Sequence, residues 1–599
     1  MSHLYCLLVL GFLISLCVNG AQSSIDAGTA RARLFRELIS RAGVYNTFPP
    51  SASELLCDQE CHPLSQPPRV GIIGAGAAGL YSALMLQSLD VDFEILEADG
   101  RAGGRIYTHY FDPEVSKKAT PQEAAYYNYF DVGAMRIPVM PYMDRVIGSQ
   151  NWSVVSYVNS HVREPADTID LIPYIFATNN TFQLYNNISV HSGVNASAAT
   201  FRVLTSEGGD IPPSDFADGN PDTIYNDAIS ELIVALEQNF DAGFNKLMEF
   251  DQVSVRAYFL QKGFTNAQIN WLETIEEGTL SFDKASLAQA VIEQWIFTAA
   301  PLDSWVTING GFERLIKGLL KVLRTQPKLY NRVTAIKPGR ADSLTVVVNH
   351  TFEHSYDHVI NTIPLGATRV LDTSALSDLH YNTTMAWRAL AYDDAGKIGM
   401  WFKTRWWEDP DVLSMPFVGG QSSTDLPIRR CVYPSYGLEV NGAPGTMIAS
   451  YTWSQDAARL AAFYRSATQE EFITHVVLED MARLHNISVS FLQDQLIDTY
   501  LWDWYNHPYS DGAYALFAPA QFSDVLPALL RPSCKGRLHT AGEATSSGHA
   551  WVVGALNSAY RAVMEVLAVE GRKDLMEKMV NLWGSLDEVD LGWFESPSP

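Results

Sequence analysis

The architecture of this chain is set by Arg69-Val-Gly-Ile-Ile-Gly-Ala-Gly-Ala-Ala-Gly-Leu80, where an apolar strand leads through a glycine turn into a helix. Each glycine of such a turn has its own physical reason. Gly74 permits the tight turn, Gly76 lets the backbone approach a pyrophosphate, and Gly79 lets the helix pack closely against the strand. The turn is therefore predicted to hold a dinucleotide by its phosphates.

Two neighbouring features agree with this prediction. The helix begins near Ala77 and Ala78, so its positive end points at the phosphates. The next apolar strand, over residues 93–97, ends in Glu97 at the spacing of an acid that binds ribose hydroxyls. Taken alone, the unit predicts a Rossmann-like α/β domain that binds either NAD or FAD.

The composition is that of a large, acidic globular protein. Hydrophobic residues make up 47% of the chain and charged residues 18%, which is typical of a folded protein with a sizeable core. The 599 residues suffice for about two or three domains. With 42 Lys and Arg against 67 Asp and Glu, the net charge is −25, which disfavours nucleic acid and anionic lipid as partners. The same field mildly favours a cationic or zwitterionic small substrate.

The amino terminus has the features of a secretory signal. Residues 4–18 form an apolar run with small residues before Ala21, which predicts a signal peptide over 1–20 and a secreted, extracellular protein. The alternative is a membrane anchor, but the run is shorter than the roughly 20 residues that a span needs. No later segment is expected to be long and apolar enough to cross a bilayer, so the mature protein is predicted to make no membrane contact.

Cysteines and glycosylation sequons agree with export. Cys6 and Cys17 would leave with the signal, and the remaining Cys57, Cys61, Cys431 and Cys534 are compatible with one or two disulfides. His62 beside Cys57 and Cys61 does not complete a metal site, so no metal is predicted. Sequons for N-glycosylation occur at Asn151, Asn179, Asn187, Asn195, Asn349, Asn382 and Asn486.

The order of strand and helix signals predicts a discontinuous Rossmann-like domain with a mixed α+β substrate domain threaded through it. The nucleotide domain is predicted over 67–109, 300–395 and 530–575, and the substrate domain over 110–200 and 396–529. Residues 201–299 are predicted to form a helical insertion, because Ile229, Leu232, Ile233 and Leu236 have amphipathic spacing. Residues 21–66 are expected to be a propeptide or a helical arm, and residues 576–599 a tail.

A basic glycine loop, Arg101-Ala-Gly-Gly-Arg105, follows the ribose acid. It offers flexible backbone and guanidinium groups to phosphate. Here the chain resembles the flavin-containing amine oxidase superfamily, in which this motif follows the ribose acid and binds FAD. The resemblance implies that the dinucleotide is FAD, and that Arg101, Gly103, Gly104 and Arg105 bind it.

The stretch Asp131-Val-Gly-Ala-Met-Arg-Ile-Pro138 places Arg136 between apolar neighbours. Burying a guanidinium there is unfavourable unless it holds an anion, and a salt bridge with Asp131 is an equal alternative from the residues alone. The stretch resembles the corresponding segment of L-amino acid oxidases, which implies that Arg136 binds the substrate α-carboxylate in a bidentate pair. The resemblance also assigns Ala134, Met135 and Val333 to the FAD site.

A second long resemblance begins at Lys397-Ile-Gly-Met-Trp-Phe-Lys-Thr-Arg-Trp-Trp407 and continues through Gly419–Arg429 to Tyr433. It is similar to the central segment of secreted L-amino acid oxidases. It implies that Lys397 holds a water against flavin N5, where burial would depress the pKa of the lysine. It further implies that Tyr433 shares the substrate carboxylate with Arg136.

The closing part of the nucleotide domain, Gly542-Glu543 and Ser546-Ser-Gly-His-Ala-Trp551, resembles the last FAD motif of the superfamily. The resemblance implies that Glu543 accepts a ribityl hydroxyl. It also implies that a helix starting near Val552 faces the flavin N1–C2=O edge and stabilises the anionic reduced flavin. Trp551 and the carbonyl of Ala550 are implied to flank the substrate amine.

The stretch Pro508-Tyr-Ser-Asp-Gly-Ala-Tyr514 bears on how the cofactor is held. It resembles a motif of monoamine oxidases in which a cysteine between the glycine and the tyrosine is joined covalently to the flavin. That position is Ala513 here, so the FAD is predicted to be non-covalent. The nearby Trp502-Asp-Trp-Tyr505 is predicted to supply aromatic walls.

Together these resemblances imply a flavoenzyme that oxidatively deaminates L-amino acids with molecular oxygen, releasing a 2-oxo acid, ammonia and hydrogen peroxide. Three alternatives stay open: an amino-acid 2-monooxygenase that forms an amide, an amine or polyamine oxidase, and a secreted flavoprotein without turnover. The side-chain specificity does not follow from these motifs. A homo-oligomer is compatible with the sequence.

Overall fold

The computed structural model describes residues 68–276, 278–586 and 588–589. The predicted signal peptide, the segment 21–66 with Cys57 and Cys61, and residues 590–599 of the predicted tail lie outside the described residues. The predicted nucleotide domain, substrate domain and helical insertion fall almost entirely within them.

Regular elements cover most of the described chain. The strands are β1 (Arg69–Ile73), β2 (Asp92–Leu96), β3 (Thr108–Tyr110), β4 (Tyr129–Asp131), β5 (Ile137–Pro138), β6 (Leu171–Pro173), β7 (Phe182–Tyr185), β8 (Ile188–His191), β9 (Trp305–Ile308), β10 (Val333–Pro338), β11 (Leu344–Val348), β12 (Phe352–Tyr356), β13 (His358–Asn361), β14 (Tyr392–Asp393), β15 (Ala395–Phe402), β16 (Gln421–Thr424), β17 (Arg430–Val432), β18 (Gly445–Trp453), β19 (Leu496–Asp503), β20 (Tyr514–Ala515) and β21 (Leu538–Thr540). The α-helices are α1 (Ala77–Ser88), α2 (Pro113–Ser116), α3 (Asp144–Ile147), α4 (Val154–His161), α5 (Asp215–Asp218), α6 (Pro221–Gln238), α7 (Phe240–Met248), α8 (Val255–Gln261), α9 (Asn266–Glu276), α10 (Ser281–Lys284), α11 (Leu287–Ala299), α12 (Glu313–Val322), α13 (Leu365–Thr368), α14 (Tyr381–Ala389), α15 (Ser454–Ala461), α16 (Ala467–His485), α17 (Val489–Gln495), α18 (Leu526–Leu529), α19 (Val552–Val569) and α20 (Lys573–Trp583).

A parallel four-stranded sheet with the order β2-β1-β13-β21 forms the core of the nucleotide domain. Its strands come from three distant parts of the chain. Helices α1 and α19 pack against each other and against this sheet, which explains why nearly all residues of its strands are buried. The predicted α/β class with a discontinuous Rossmann-like domain is confirmed, whereas the predicted domain boundaries stay predictions.

A seven-stranded sheet with the order β19-β15-β18-β17-β16-β7-β8 forms the second layer. It is antiparallel except where β16 pairs with β7. Successive side chains of a strand point to opposite faces. On β15, Ile398 and Met400 therefore enter a buried core cluster with Trp406 and Trp407, while Lys397 points to the other face.

The predicted helical insertion is occupied by α5 to α11. Helix α6 starts where the side chain of Asn220 accepts the backbone N–H of Thr223 at 3.0 Å, which caps its first turn. It buries Ile229, Leu232 and Leu236 completely, at the spacing that the sequence shows.

Helix α19 corrects one expectation about membrane spans. By length and hydropathy (1.3) it is the one helix of the described chain that could cross a membrane, so a later segment does pass that test. However, 83% of the helix is buried inside the fold. Its apolar sequence is explained by packing against α1 and the parallel sheet.

Two of the four cysteines predicted to remain after cleavage are described. Cys431 and Cys534 are both free and buried, and they lie in different core clusters. They therefore do not pair with each other, and Cys57 and Cys61, the other two, lie outside the described residues.

Candidate active site

A cavity of about 1020 Å³ joins the nucleotide domain to the seven-stranded sheet. Glycine-turn residues line one end, and side chains of β15, β17 and β18 line the other. Of the residues predicted to contact cofactor or substrate, those lining it are Gly74, Gly76, Ala77, Ala78, Glu97, Arg101, Gly103, Gly104, Arg105, Ala134, Met135, Arg136, Val333, Lys397, Glu543, Ala550, Trp551 and Val552. Gly79 and Tyr433 do not.

The glycine turn has the geometry that its sequence predicts. Gly74 adopts a φ of +103°, and a Cβ added to Gly79 would overlap the carbonyl oxygen of Gly74. A Cβ on Gly76 would meet no atom within 4 Å, because this residue borders the open cavity. Gly79 therefore serves helix packing, and Gly76 leaves room for a ligand to approach the backbone.

Glu97 lies at the end of β2 beside this turn. Its carboxylate accepts the backbone N–H of Ala75 at 2.6 Å and that of Asp99 at 2.8 Å. Burial raises the pKa of Glu97, although both hydrogen bonds oppose the shift. A carboxylate has about four acceptor sites, so capacity remains for the ribose hydroxyls of a dinucleotide.

Two helices begin at the cavity with no side chain capping their first N–H groups. The residue before α1 is Gly76, and the residue before α19 is Trp551. The first residues of both helices, including Ala77 and Val552, line the cavity. Open helix N-termini favour anionic groups, which fits a pyrophosphate at one end and an electron-rich flavin edge at the other.

Arg105 and Glu543 have partners other than those expected. Arg105 Nη1 donates to Glu543 Oε2 and to the carbonyl of Ala513, both at 3.0 Å. Glu543 Oε1 accepts the backbone N–H groups of Ala515 and Ala550, both at 2.8 Å. Both side chains border the cavity, but their described contacts hold the loops around it together rather than reserving them for phosphate or ribityl groups.

Arg101 shows a similar departure. Its guanidinium donates to the carbonyl of Gly104 at 2.6 Å and to that of Ile106 at 3.3 Å, and packs on the ring of Tyr107 at 4.4 Å. The arginine thus fixes its own glycine loop. In that loop, the N–H of Gly103 donates to Ala75 at 2.8 Å, which brings the loop against the glycine turn.

Lys397 is buried at the opposite end of the cavity. Its Nζ donates to the carbonyls of Asp131 and Gly133 at 2.9 and 2.8 Å, and lies 3.4 Å from the sulfur of Met135. Burial lowers the pKa of Lys397, and the charge of Arg136 lowers it further. The predicted depression of this pKa therefore has a physical basis in the structure.

Arg136 lies in an aromatic enclosure beside Lys397. Its guanidinium carbon is 4.6 Å from the ring centroid of Phe176 and 5.7 Å from those of Tyr174 and Trp305. Within the described part of the chain, no carboxylate lies within 4.0 Å of this guanidinium. The alternative of a salt bridge with Asp131 is wrong, because that carboxylate accepts from Thr108 and Phe312 instead.

Tyr433 does not contact the cavity, and the prediction that it binds the substrate carboxylate is wrong. Its side chain is 1% exposed, and its hydroxyl bonds Ser422 at 2.8 Å and His485 at a short distance. A tyrosine of the seven-stranded sheet that does line the cavity is Tyr451, which lies opposite Lys397 in the β15–β18 ladder. The Nζ of Lys397 is 4.7 Å from its ring centroid.

The strand pairing explains this error. Tyr433 follows β17 and points into the core cluster of Trp407 and Phe417. Tyr451 belongs to β18, and nothing local to its sequence indicates which face of the sheet it occupies. The signal that could have identified it is the alternation of β18 combined with its pairing to the lysine strand.

Ala550 and Trp551 line the cavity just before the start of α19. Ala550 has a φ of +64°, a conformation that glycine adopts more easily, and it is exposed to the cavity. The Trp551 ring lies 5.8 Å from Phe297 and 5.9 Å from Trp305. Nearby His549 is buried beside Phe517, bonds Gln289 at 2.9 Å and does not line the cavity.

The cavity also bears on how the cofactor is attached. Ala513 lines it, and neither Cys431 nor Cys534 does, so within the described residues no thiol faces the flavin site. Of the predicted aromatic walls, Trp504 lines the cavity and Trp502 does not. The arrangement fits a non-covalently bound FAD.

Comparison with known proteins agrees with this geometry. Residues 77–567 match the family model of flavin-containing amine oxidoreductases. The chain is 38% identical over 573 residues to "L-amino-acid oxidase 4" of Hebeloma cylindrosporum, covering 89% of this chain and 87% of the relative. It is also 38% identical over 547 residues to a "Putative bifunctional amine oxidase" of Dictyostelium discoideum, covering 87% of this chain but only 48% of that protein.

Solved structures show the same fold. Wild-type putrescine oxidase bound to putrescine superposes with a TM-score of 0.60 at 16% identity, covering 84% of this chain and 99% of that one. The enzyme is thus an FAD-dependent oxidoreductase acting on CH–NH2 groups, with an amine substrate and oxygen as its reactants. The chain belongs to the family of flavin-containing amine oxidoreductases.

Proposed function

We propose that this enzyme oxidatively deaminates L-amino acids. The observation that carries the proposal is Arg136, a cation that faces the cavity next to Lys397 and Tyr451 without a described carboxylate partner. A simple amine carries no anion for such a group to bind. A substrate α-carboxylate supplies it, and the fork of a guanidinium matches a carboxylate in a bidentate pair.

The surroundings of Arg136 position the substrate. Rings of Phe176, Tyr174 and Trp305 hold the guanidinium plane, so little side-chain entropy is lost when a carboxylate binds. The Tyr451 hydroxyl offers a second donor to the same anion. The carbonyl of Ala550, held by the Glu543 contact to its own N–H, would accept from the substrate amine.

Lys397 supplies the proton chemistry of the site. Because burial lowers its pKa, the side chain can exist as a neutral amine that accepts a proton at Nζ or holds a water molecule. FAD, when bound, supplies the redox chemistry by accepting a hydride and returning the electrons to oxygen. In balance, an amino acid, water and dioxygen yield a 2-oxo acid, ammonia and hydrogen peroxide.

Product analysis tests the proposal. Purified enzyme should form one hydrogen peroxide and one 2-oxo acid for each L-amino acid consumed, and should be nearly inactive on the matching decarboxylated amine. An amide with carbon dioxide would instead identify an amino-acid 2-monooxygenase. Faster turnover of amines than of amino acids would identify an amine or polyamine oxidase. A bound flavin that neither amines nor amino acids reduce would identify a flavoprotein without turnover.

We also propose that the protein is exported and glycosylated. The support is the apolar run of residues 4–18 and the position of the sequons. The asparagine of every one of the seven sequons is exposed in the structure: Asn151, Asn179, Asn187, Asn195, Asn349, Asn382 and Asn486. Expression of the full chain in a eukaryotic host should deliver it to the medium with a mass that falls on treatment with a peptide N-glycosidase. Retention in the cytosol without a mass change would contradict the proposal.

A further inference from the structure

A loop that leaves the seven-stranded sheet reaches the nucleotide-binding end of the cavity. The loop spans residues 504–512, between β19 and β20. The carbonyl of Trp504 accepts the hydroxyl of Ser510 at 2.9 Å and the N–H of Gly512 at 3.3 Å, so the loop is held by its own hydrogen bonds. The residues of this loop that line the cavity are Trp504, His507, Pro508, Tyr509 and Ser510.

Two arginines of the predicted nucleotide domain contact the 504–512 loop. The guanidinium carbon of Arg332 is 5.8 Å from the ring centroid of Tyr509, and Arg369 Nη2 is 3.4 Å from Asp511 Oδ2. Arg332 lines the cavity, whereas Arg369 does not. Both arginines therefore tie down the loop, and of the two Arg332 is placed to contact a bound group as well.

Arg332 lies at the end of the cavity where the adenosine half of the dinucleotide is predicted. The preceding residue, Asn331, donates its backbone N–H to the carbonyl of Glu97 at 2.7 Å, and the following residue, Val333, begins β10. Glu97 is the predicted ribose acid, and Val333 is a predicted contact of FAD. Arg332 thus stands next to two residues predicted to bind the cofactor, and all three line the cavity.

The guanidinium of Arg332 keeps its N–H donors available. Within the described part of the chain, it has no hydrogen-bond acceptor and no carboxylate within 4.0 Å, and the ring of Tyr509 is its side-chain contact. Packing on an aromatic ring orients a guanidinium without use of its N–H groups. Arg101 and Arg105 instead donate to backbone carbonyls and to Glu543. Of these three arginines, Arg332 is the one with donors free for a phosphate.

The diphosphate of FAD is an anion of the kind that such a group binds. The open N-terminus of α1 contributes about half a positive charge toward it, so a further cation is favourable. The planar fork of an arginine matches phosphate oxygens. Asp99 also lines this end of the cavity, but its Oδ2 is 3.6 Å from Nε of Arg101 and is not within ion-pair distance of Arg332.

We infer that Arg332 binds the diphosphate of FAD, and that Tyr509 orients its guanidinium from the 504–512 loop. The loop thereby helps to close the cofactor site, because release of FAD requires the arginine contact to break. This assignment concerns the cofactor and does not depend on which amine or amino acid the enzyme oxidises.

The experiment follows release of FAD from the purified holoenzyme after dilution, as a rise in flavin fluorescence. Arg332→Leu should release FAD roughly tenfold faster than the wild type, because a charge-assisted contact is lost at an exposed, partly screened position. Arg369→Leu is the matched control, since it cuts the other tie of the same loop without removing a cavity-lining cation. It should change the release rate less than about threefold. Far-UV circular dichroism like that of the wild type shows that both variants are folded.

Three further comparisons sharpen the result. Added salt should speed release from the wild type more than from Arg332→Leu, because salt screens a contact with phosphate. Arg332→Lys keeps the charge and loses the fork, so its release rate should lie between the other two. Tyr509→Leu removes the orienting ring and should speed release about threefold, whereas Tyr509→Phe keeps the ring and should match the wild type.

Several outcomes would overturn the assignment. An unchanged release rate in Arg332→Leu would exclude a contact with the cofactor. Equal acceleration in Arg332→Leu and Arg369→Leu would show that Arg332 acts only by tying down the loop. The same salt dependence in the wild type and in Arg332→Leu would exclude the diphosphate as the group that the arginine binds.

Discussion

Replacement of Arg136 by alanine is the sharpest test of how this enzyme holds its substrate. The guanidinium stands in an aromatic enclosure that faces the cavity, and no described carboxylate neutralises it. The variant Arg136→Ala removes the cation that lies beside Lys397 and Tyr451 and is placed to pair with an α-carboxylate.

The magnitude follows from the contacts that are lost. Hydrogen bonds to charged groups contribute about 1.5–3 kcal/mol, and an unpaired buried charge costs about 3–5 kcal/mol. Because Arg136 is only half-buried, the lower part of this range applies, about 3 kcal/mol. At about 1.4 kcal/mol per tenfold, kcat/KM for an L-amino acid should fall roughly 100- to 200-fold.

The assay measures peroxide formation for L-leucine and for its decarboxylated partner, 3-methylbutylamine. In Arg136→Ala, the loss should appear for leucine, mainly in KM, and not for the amine. Arg136→Lys should lose less, because it keeps the charge without the bidentate fork. Equal losses for both compounds, or an unchanged KM for leucine, would refute the reasoning that this arginine binds the carboxylate.

Other positions give shorter tests. Tyr451→Phe should lower kcat/KM for amino acids about tenfold, because the variant lacks the hydroxyl. Tyr433→Phe should leave the kinetics unchanged and lower the free energy of unfolding by about 1–3 kcal/mol, since the Tyr433 hydroxyl bonds Ser422 and His485 away from the cavity. The reverse pattern in steady-state rates and denaturant melts would place Tyr433 in the site. Burial lowers the pKa of Lys397, so the neutral form of this side chain is populated above that pKa. Activity should therefore rise with pH along an acidic limb of the pH–rate profile, and Lys397→Met should abolish this limb. A limb that stays intact in the variant would show that Lys397 is not the group that titrates. Ala550→Gly should keep activity and raise the thermal midpoint of unfolding slightly, because the left-handed backbone conformation at this position costs alanine about 1 kcal/mol and costs glycine less. A lower midpoint would contradict this. Glu588→Ala should destabilise the fold by about 3 kcal/mol, because one buried carboxylate oxygen accepts from Tyr142, Ser547 and Asn557; a thermal midpoint equal to that of the wild type would show that these bonds are dispensable.

The parts of the site that sequence could predict are those encoded locally. The roles of Gly74 and Gly79 follow from a spacing of a few residues, and the structure reproduces them because the turn and the first helix form one continuous unit. The spacing in sequence from the glycine turn to Glu97, directly after β2, is predicted in the same way. The resemblance of motifs extended this local reading to Lys397 and Arg136, both of which line the cavity.

The parts that escaped prediction depend on pairing between distant segments. Which tyrosine faces the cavity is decided by the register of β18 against β15, and a single residue of shift exchanges the two faces of a strand. The Arg105–Glu543 contact joins residues 438 positions apart, so nothing near either residue in the sequence shows that the two side chains bind each other.

The three-part origin of the parallel sheet has a consequence for how the enzyme is made. Strand β1 pairs with β13, and β13 with β21, so the cofactor cradle needs residues near 70, 360 and 540 at once. During synthesis the glycine turn and β2 emerge early, but β13 and β21 follow hundreds of residues later, and β21 comes only when most of the chain has left the ribosome. Such long-range closure makes folding slow, and the edge of β1 that pairs with β13 stays unpaired meanwhile. FAD therefore meets a finished binding site only at the end of translation, and its binding then stabilises a fold that no amino-terminal fragment can form.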